Sequence, residues 1–201
     1  MIHVYEKCPV LENSHFLLRL AEESDAKDLL EVYSDKNALP FFNSDNCNGD
    51  NFYYPTEERM LEAIKFWLWE YSNKVYVRFS IIDKTSNKAV GTIELFNRKS
   101  TDYFNNCGLL RLDVGSELEK CTSLCEIISI ILEPAYQLFG CSMIATKAAI
   151  YAVERARALE EMGFQKVKEH LSGKYDTYRD YWIIRNSDNS HYHSKQDKQD
   201  F

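Results

Sequence analysis

No apolar run in this sequence is long enough to cross a bilayer as a helix, which excludes a helical membrane protein. The opening residues, MIHVYEKCPVLENSH, have no charged stretch followed by an apolar one, so no secretory leader is expected. No block of Lys and Arg occurs, and the net charge is -7 with a pI near 5.3. That balance argues against a general binder of nucleic acid or of anionic membranes, while leaving room for a local basic groove. The six cysteines, at 8, 47, 107, 121, 125 and 141, include no C-x-x-C pair. Zinc needs clustered thiolates or imidazoles, so no metal is expected, and a reduced, cytoplasmic protein is the best reading. No Ser-His-Asp or Cys-His arrangement and no P-loop is visible. Glycine is scarce, with 7 in 201 residues, and none falls between Ser116 and Phe139.

What is present is a packed globule: 45% of residues are hydrophobic and 13% aromatic. The length suits one domain, expected over residues 1–186. Residues 187–201, with almost no apolar content, read as a disordered tail. Phe16, Leu18 and Leu20 alternate as a strand, and Ala26, Leu29, Leu30 and Tyr33 keep helical spacing after Ser24 and Asp25. Thr56 caps a second helix whose Met60, Leu61, Ile64, Trp67, Leu68 and Tyr71 form one wide apolar face. Residues 75–98 read as a hairpin turning between Asp83 and Lys88, and residues 107–114 as the next strand. A helix follows from about Ser123 to Leu138, with Pro134 kinking it or marking its last turns and Gly140 ending it. Then come a buried strand (141–148), an amphipathic helix (149–163), a strand (164–170) and a final strand (180–185).

Between the first two helices, residues 35–56 are rich in Asn, Asp, Gly and Pro, yet carry Phe41, Phe42, Phe52, Tyr53 and Tyr54. A solvated linker has no use for five aromatics. The stretch is expected to be ordered, either as a lid over a ligand or as a satellite apolar cluster under a long loop.

The order β-α-α-β-β-β-α-β-α-β-β predicts an α/β (α+β) protein with a mixed central sheet of about seven strands and helices on both faces. Together with FLLRLAEESDAKDLLEVYSD, KAVGTIELFNR and ALEEMGF, this order resembles the GNAT superfamily of N-acetyltransferases. The branch most similar is the bacterial ribosomal-protein-alanine N-acetyltransferase type, and the resemblance covers about residues 14–186. It implies acetyl-CoA as co-substrate and, as acceptor, a primary amine of a small molecule or of a protein N-terminus. The alternative is a protein that keeps the fold to bind, regulate or hold a partner without transfer.

The family's cofactor motif, V-x-P-x-x-R-G-x-G, follows a strand and opens a helix. Counting from Val114 puts Ser116 at the Pro, Glu119 at the Arg, Lys120 at the first Gly and Thr122 at the second. The length and Val114 match, while the Arg and the glycines are absent. The resemblance implies that the backbone from Leu112 to Val114 pairs with pantetheine and that Glu119, Lys120, Cys121, Thr122, Ser123 and Leu124 hold the pyrophosphate. Lys120 adds positive charge there, and Thr122 or Ser123 suits a helix cap whose hydroxyl reaches a phosphate oxygen. Glu119 adds an adverse like charge. In the last helix the family's Asn and Ser positions hold Ala152 and Arg155, and the position of the usual acidic Tyr holds Leu159. Arg155 and Arg157 read as a solvated face beside Glu154, Glu160 and Glu161, or as partners of the 3′-phosphate. A general base is sought first at Glu94 and second at Asp113. Each has a bland rival: Glu94 as a solvent-facing strand residue, Asp113 as the ion-pair partner of Arg111 or Lys147.

Overall fold

The computed structural model describes residues 4–186. Ten strands form: β1 (Leu11–Glu12), β2 (Phe16–Leu20), β3 (Val77–Asp83), β4 (Lys88–Arg98), β5 (Cys107–Val114), β6 (Met143–Lys147), β7 (Gln165–Lys166), β8 (Leu171–Ser172), β9 (Thr177–Tyr178) and β10 (Tyr181–Arg185). Four α-helices accompany them: α1 (Ala26–Tyr33), α2 (Glu57–Ser72), α3 (Cys121–Phe139) and α4 (Val153–Glu161). Eight strands make one sheet in the order β1-β2-β3-β4-β5-β6-β10-β7, and β8 with β9 make a small ribbon. Every neighbouring pair in the sheet is antiparallel except β5 and β6, which run parallel. None of the described helices is long and apolar enough to cross a membrane.

Strand alternation decides what each face of the sheet meets. On β3, β4 and β5, Val77, Phe79, Ile81, Ile93, Leu95, Leu110, Leu112 and Val114 pack with α3 and α4 in the main core. The intervening Arg78, Ser80, Thr92, Glu94, Arg111 and Asp113 are buried on the other face, which α1 and α2 cover. A strand polar on one face and fully buried on both must pair its polar groups internally, because none can reach water. α3 is apolar nearly all round and passes through Pro134, running on to Phe139. It stops at Gly140, whose φ of +60° suits the residue without a Cβ.

The eight strands exceed the expected seven because the sheet acquires β1, a two-residue piece at one edge that is too short to show a period. The strand expected over 164–170 shrinks to β7, and the helix expected from 149 begins only at Val153. Residues 148–152 turn instead, with the Ala148 N–H donating to the Asp180 carbonyl at 3.1 Å and Ala152 to Ala149 at 2.8 Å. The tail expected over 187–201 lies outside the described residues. The aromatic loop resolves toward its blander reading. Phe52 and Tyr54 are buried beside Tyr33, Met60 and Trp67, with Phe42 packed against them.

Gly108 sits where β5 and β6 run side by side. A Cβ there would lie 2.6 Å from Ile144 Cδ1 and 3.0 Å from Cys141 Sγ. Gly108→Ala is expected to cost about 1–3 kcal/mol through overpacking, read as a lower midpoint in urea unfolding.

Candidate functional site: a parted strand pair beside a buried charge row

The parallel pairing of β5 with β6 runs from Cys107 opposite Met143 to Leu110 opposite Thr146. Beyond that point the strands part. β6 turns its attention to β10, with Lys147 opposite Tyr181, while β5 continues to Val114 without β6 beside it. A side chain fills the gap. Arg155, from the first turn of α4, donates from Nη1 to the Leu112 carbonyl at 2.8 Å. Its Nε and Nη2 grip Glu119 at 2.7 Å each, with both side chains nearly excluded from solvent at 4% and 6% exposure.

The link from β5 to α3 is Gly115, a single 3₁₀ turn (Ser116–Leu118), Glu119 and Lys120. Lys120 is the N-cap residue, and its side chain makes no capping bond. Thr122 and Ser123 lie inside the first turn rather than capping it, because the helix starts at Cys121, two residues earlier than a Thr122 cap and three earlier than a Ser123 cap would require. The cap comes from α4: Glu154 Oε2 accepts from the Cys121 N–H at 2.9 Å. A carboxylate placed on an exposed N–H at a helix N-terminus is the arrangement by which such an end holds an anion.

On the opposite face lies a row of charge. The register sets Arg78 opposite Glu94 and Glu94 opposite Arg111 across three adjacent strands. Glu94 accepts from Arg78 Nη2 through one oxygen and from Arg111 Nη1 through the other, the latter at 2.6 Å. Two residues along β5, Asp113 accepts from Arg78 at 3.1 Å and from the Tyr33 hydroxyl at 2.9 Å, and Tyr33 also meets Thr92 at 2.7 Å. Burial pushes the Glu94 carboxyl up, but Arg111 and Arg78 outweigh it and hold it below the ordinary carboxylate range. For Asp113 burial prevails over Arg78, and its carboxyl stays raised. Tyr33 is pushed well above the usual phenol range, chiefly by burial and then by Asp113.

This row floors a cleft of about 560 Å³, walled by Phe52, Tyr54, Trp67 and Tyr76, with Glu70 and Arg59 also lining it. Trp67 stacks on the Arg78 guanidinium at 4.4 Å. The Nε atoms of Arg78 and Arg111 have no hydrogen-bond acceptor, so the cleft region retains two unspent donors. A second cleft, of about 540 Å³, shares Arg111 and is bounded by Asp45, Phe96 and Tyr181. Asp45, from the aromatic loop, binds Lys147 Nζ at 2.7 Å and accepts from Tyr181 at 3.1 Å.

No family model and no curated protein matches the chain. Solved structures do. A ribosomal-protein-S5-alanine acetyltransferase from Vibrio fischeri superposes with a TM-score of 0.67 at 17% identity, covering 90% of this chain and 98% of its own. A GNAT-family acetyltransferase from Bacillus anthracis gives 0.65 at 14%, covering 89% and 99%. Apo FdhC, described as a nucleotide-linked sugar GNAT, gives 0.64 at 16%, covering 94% and 97%. This is the GNAT fold.

Within the GNAT fold, Leu112, Val114 and residues 119–124 do gather at one place, the mouth of the parted strands. Glu94 and Asp113 gather elsewhere, in the buried row. Three sequence expectations need correction. Glu94 is 2% exposed rather than solvent-facing. Asp113 pairs with Arg78, not with Arg111 or Lys147. Arg155 is buried at 3% rather than solvated, because the gap between β5 and β6 admits its whole side chain. Arg157 is solvated as read, and binds Glu161 at 2.9 Å. Sequence reasoning missed Arg78 altogether. Its signal was a charge at an alternate position of an otherwise apolar strand.

The place that the resemblance gives to pantetheine and pyrophosphate is thus built to hold anions and already holds the protein's own. Arg155 and the α3 N-terminus are suitable donors for a diphosphate, and Glu119 and Glu154 occupy them.

Proposed function

We propose that the protein is an N-acetyltransferase that moves the acetyl group of acetyl-CoA to a primary amine of a small molecule or of a protein N-terminus. The observation that carries this reading is the parting of β5 and β6 after Leu110, which leaves the β5 backbone at Leu112 to Val114 without a β6 partner. Leu112 and Val114 are the residues for the pantetheine arm. Glu119, Lys120, Cys121, Thr122, Ser123 and Leu124 surround the diphosphate, with Arg155 exchanging Glu119 for a phosphate oxygen. Acetyl-CoA supplies the activated acyl group, and the aromatic cleft on the α1–α2 face receives the acceptor.

Glu94 and Asp113 act in this reading as positioning residues: Asp113, spent on Arg78 and Tyr33, does not line the cleft, and Glu94 is held by two guanidiniums. A carboxylate held by two guanidiniums has a depressed affinity for protons and makes a poor base. Glu70, on the cleft wall, suits the role better, since burial and the nearby Glu94 push its carboxyl up. A cytoplasmic setting agrees with six cysteines that are all free thiols.

A second reading is favoured by one specific contact. The Arg155–Glu119 pair, anchored on Leu112, closes the gap, as it would in a protein that keeps the fold and transfers nothing. Thermal unfolding with acetyl-CoA and with free CoA separates the two. Ligand at 100 times its Kd stabilises by about 2.7 kcal/mol, and about 2–4 °C is gained per kcal/mol at this chain length. A rise of several degrees is expected, and an unmoved Tm at millimolar acetyl-CoA rejects the transferase.

A further inference from the structure

Beside the strand gap, and sharing Cys121 with it, one group of metal-ligating side chains draws on two helices. Cys121 and Cys125 lie one turn apart on α3, so they share a face. Glu161 closes α4, which packs against that face. One ligand atom from each of the three, two sulfurs and a carboxylate oxygen, lie within 4.8 Å of one another. Tetrahedral zinc with thiolates at about 2.3 Å sets its sulfurs roughly 3.8 Å apart, so modest side-chain rotation closes the three around an ion. Cys121 is buried, Cys125 half-buried and Glu161 exposed, which leaves a fourth position facing water.

The surroundings also suit a cation. Arg157 Nε donates to Glu161 Oε1 at 2.9 Å, the kind of outer partner that fixes a ligating carboxylate. Two thiolates and a carboxylate carry three negative charges, which a divalent ion and the Arg157 guanidinium balance to zero. The Cys125 thiol donates to the Ala158 carbonyl at a long 3.6 Å and lies against the Cys121 thiol.

We propose that Cys121, Cys125 and Glu161 bind one thiophilic divalent cation of the zinc class, tying the first turn of α3 to the last turn of α4. The ion forms two metal–sulfur bonds and one metal–oxygen bond, and each thiol releases its proton to solvent. Because both thiols give up a proton on binding, the affinity falls as the pH is lowered.

Cobalt(II) is the probe, titrated into the full chain under reducing conditions near neutral pH. A near-ultraviolet thiolate-to-cobalt band that saturates at one equivalent is expected, with strong visible absorption from tetrahedral geometry, and zinc should displace both. Cys125→Ser should remove most of the charge-transfer band, while Cys8→Ser leaves it intact. Arg157→Ala should weaken cobalt by about tenfold. Glu161→Gln, on the exposed end of α4, disturbs no core packing. It should keep the thiolate band and lose affinity. No band at saturating cobalt, or a band that survives in the Cys121→Ser/Cys125→Ser double variant, overturns the site.

Discussion

Glu94→Ala will destabilise the fold by about 3–5 kcal/mol, because it strands two buried guanidiniums. Arg78 and Arg111 both spend their strongest bonds on that one carboxylate, and neither can turn to water. Denaturant unfolding should show the loss as a lower midpoint with little change in slope. Glu94→Gln keeps one acceptor oxygen and should lose less. The pair of variants also has a pH signature. Glu94 has a folded pKa below its unfolded one, so its stabilisation is present above the unfolded pKa and fades as the pH falls through the folded pKa. Wild type should therefore lose more stability on acidification than Glu94→Gln. Asp113 runs the other way. Its raised carboxyl contributes most below the unfolded pKa and less as the pH rises through the folded one.

The second large effect concerns the gap between β5 and β6. In the proposed transferase, Glu119→Gln removes the anion that would compete with a diphosphate for Arg155. Like charges in contact cost several kcal/mol, so CoA should bind at least about tenfold more tightly, a change of roughly 1.4 kcal/mol. Arg155→Ala should do the reverse, leaving Glu119 unpaired at the proposed phosphate position and removing a buried cation there. Isothermal titration with CoA reads both. Opposite shifts in the two variants establish the exchange of Glu119 for phosphate. If neither variant changes binding, Arg155 is a structural brace and nothing more.

Much of this protein is readable in its sequence. The strand of residues 107–114, the short polar turn and the long apolar helix stand where periodicity puts them, and the order of elements leads to the fold. What eluded the sequence is pairing between elements. Glu119 and Arg155 are 36 residues apart and each looks like surface charge until the gap that receives them is known. Arg78, Glu94 and Arg111 sit on three strands whose register no local pattern specifies. Once it is known, their alternate positions explain one another, since a cationic, an anionic and a cationic side chain directly opposite across a sheet attract. From the sequence no metal is expected, and Cys121 and Cys125, one helical turn apart, are passed over, because Glu161 comes from a helix that the chain reaches only after another strand. The loop of five aromatics was legible as ordered, while the second cleft depends on Asp45, whose partners lie on β6 and β10.

The edges of the sheet carry a consequence for how the molecule behaves in company. Among the described residues the sheet ends at one side in β1 and at the other in β7, each two residues long, and these hold Glu12 and Lys166. A strand of that length offers a neighbouring molecule too few free N–H and C=O groups to extend the ladder, and a charged side chain there discourages the attempt. The edges from which this sheet could grow are thus trimmed to two short, charged pieces.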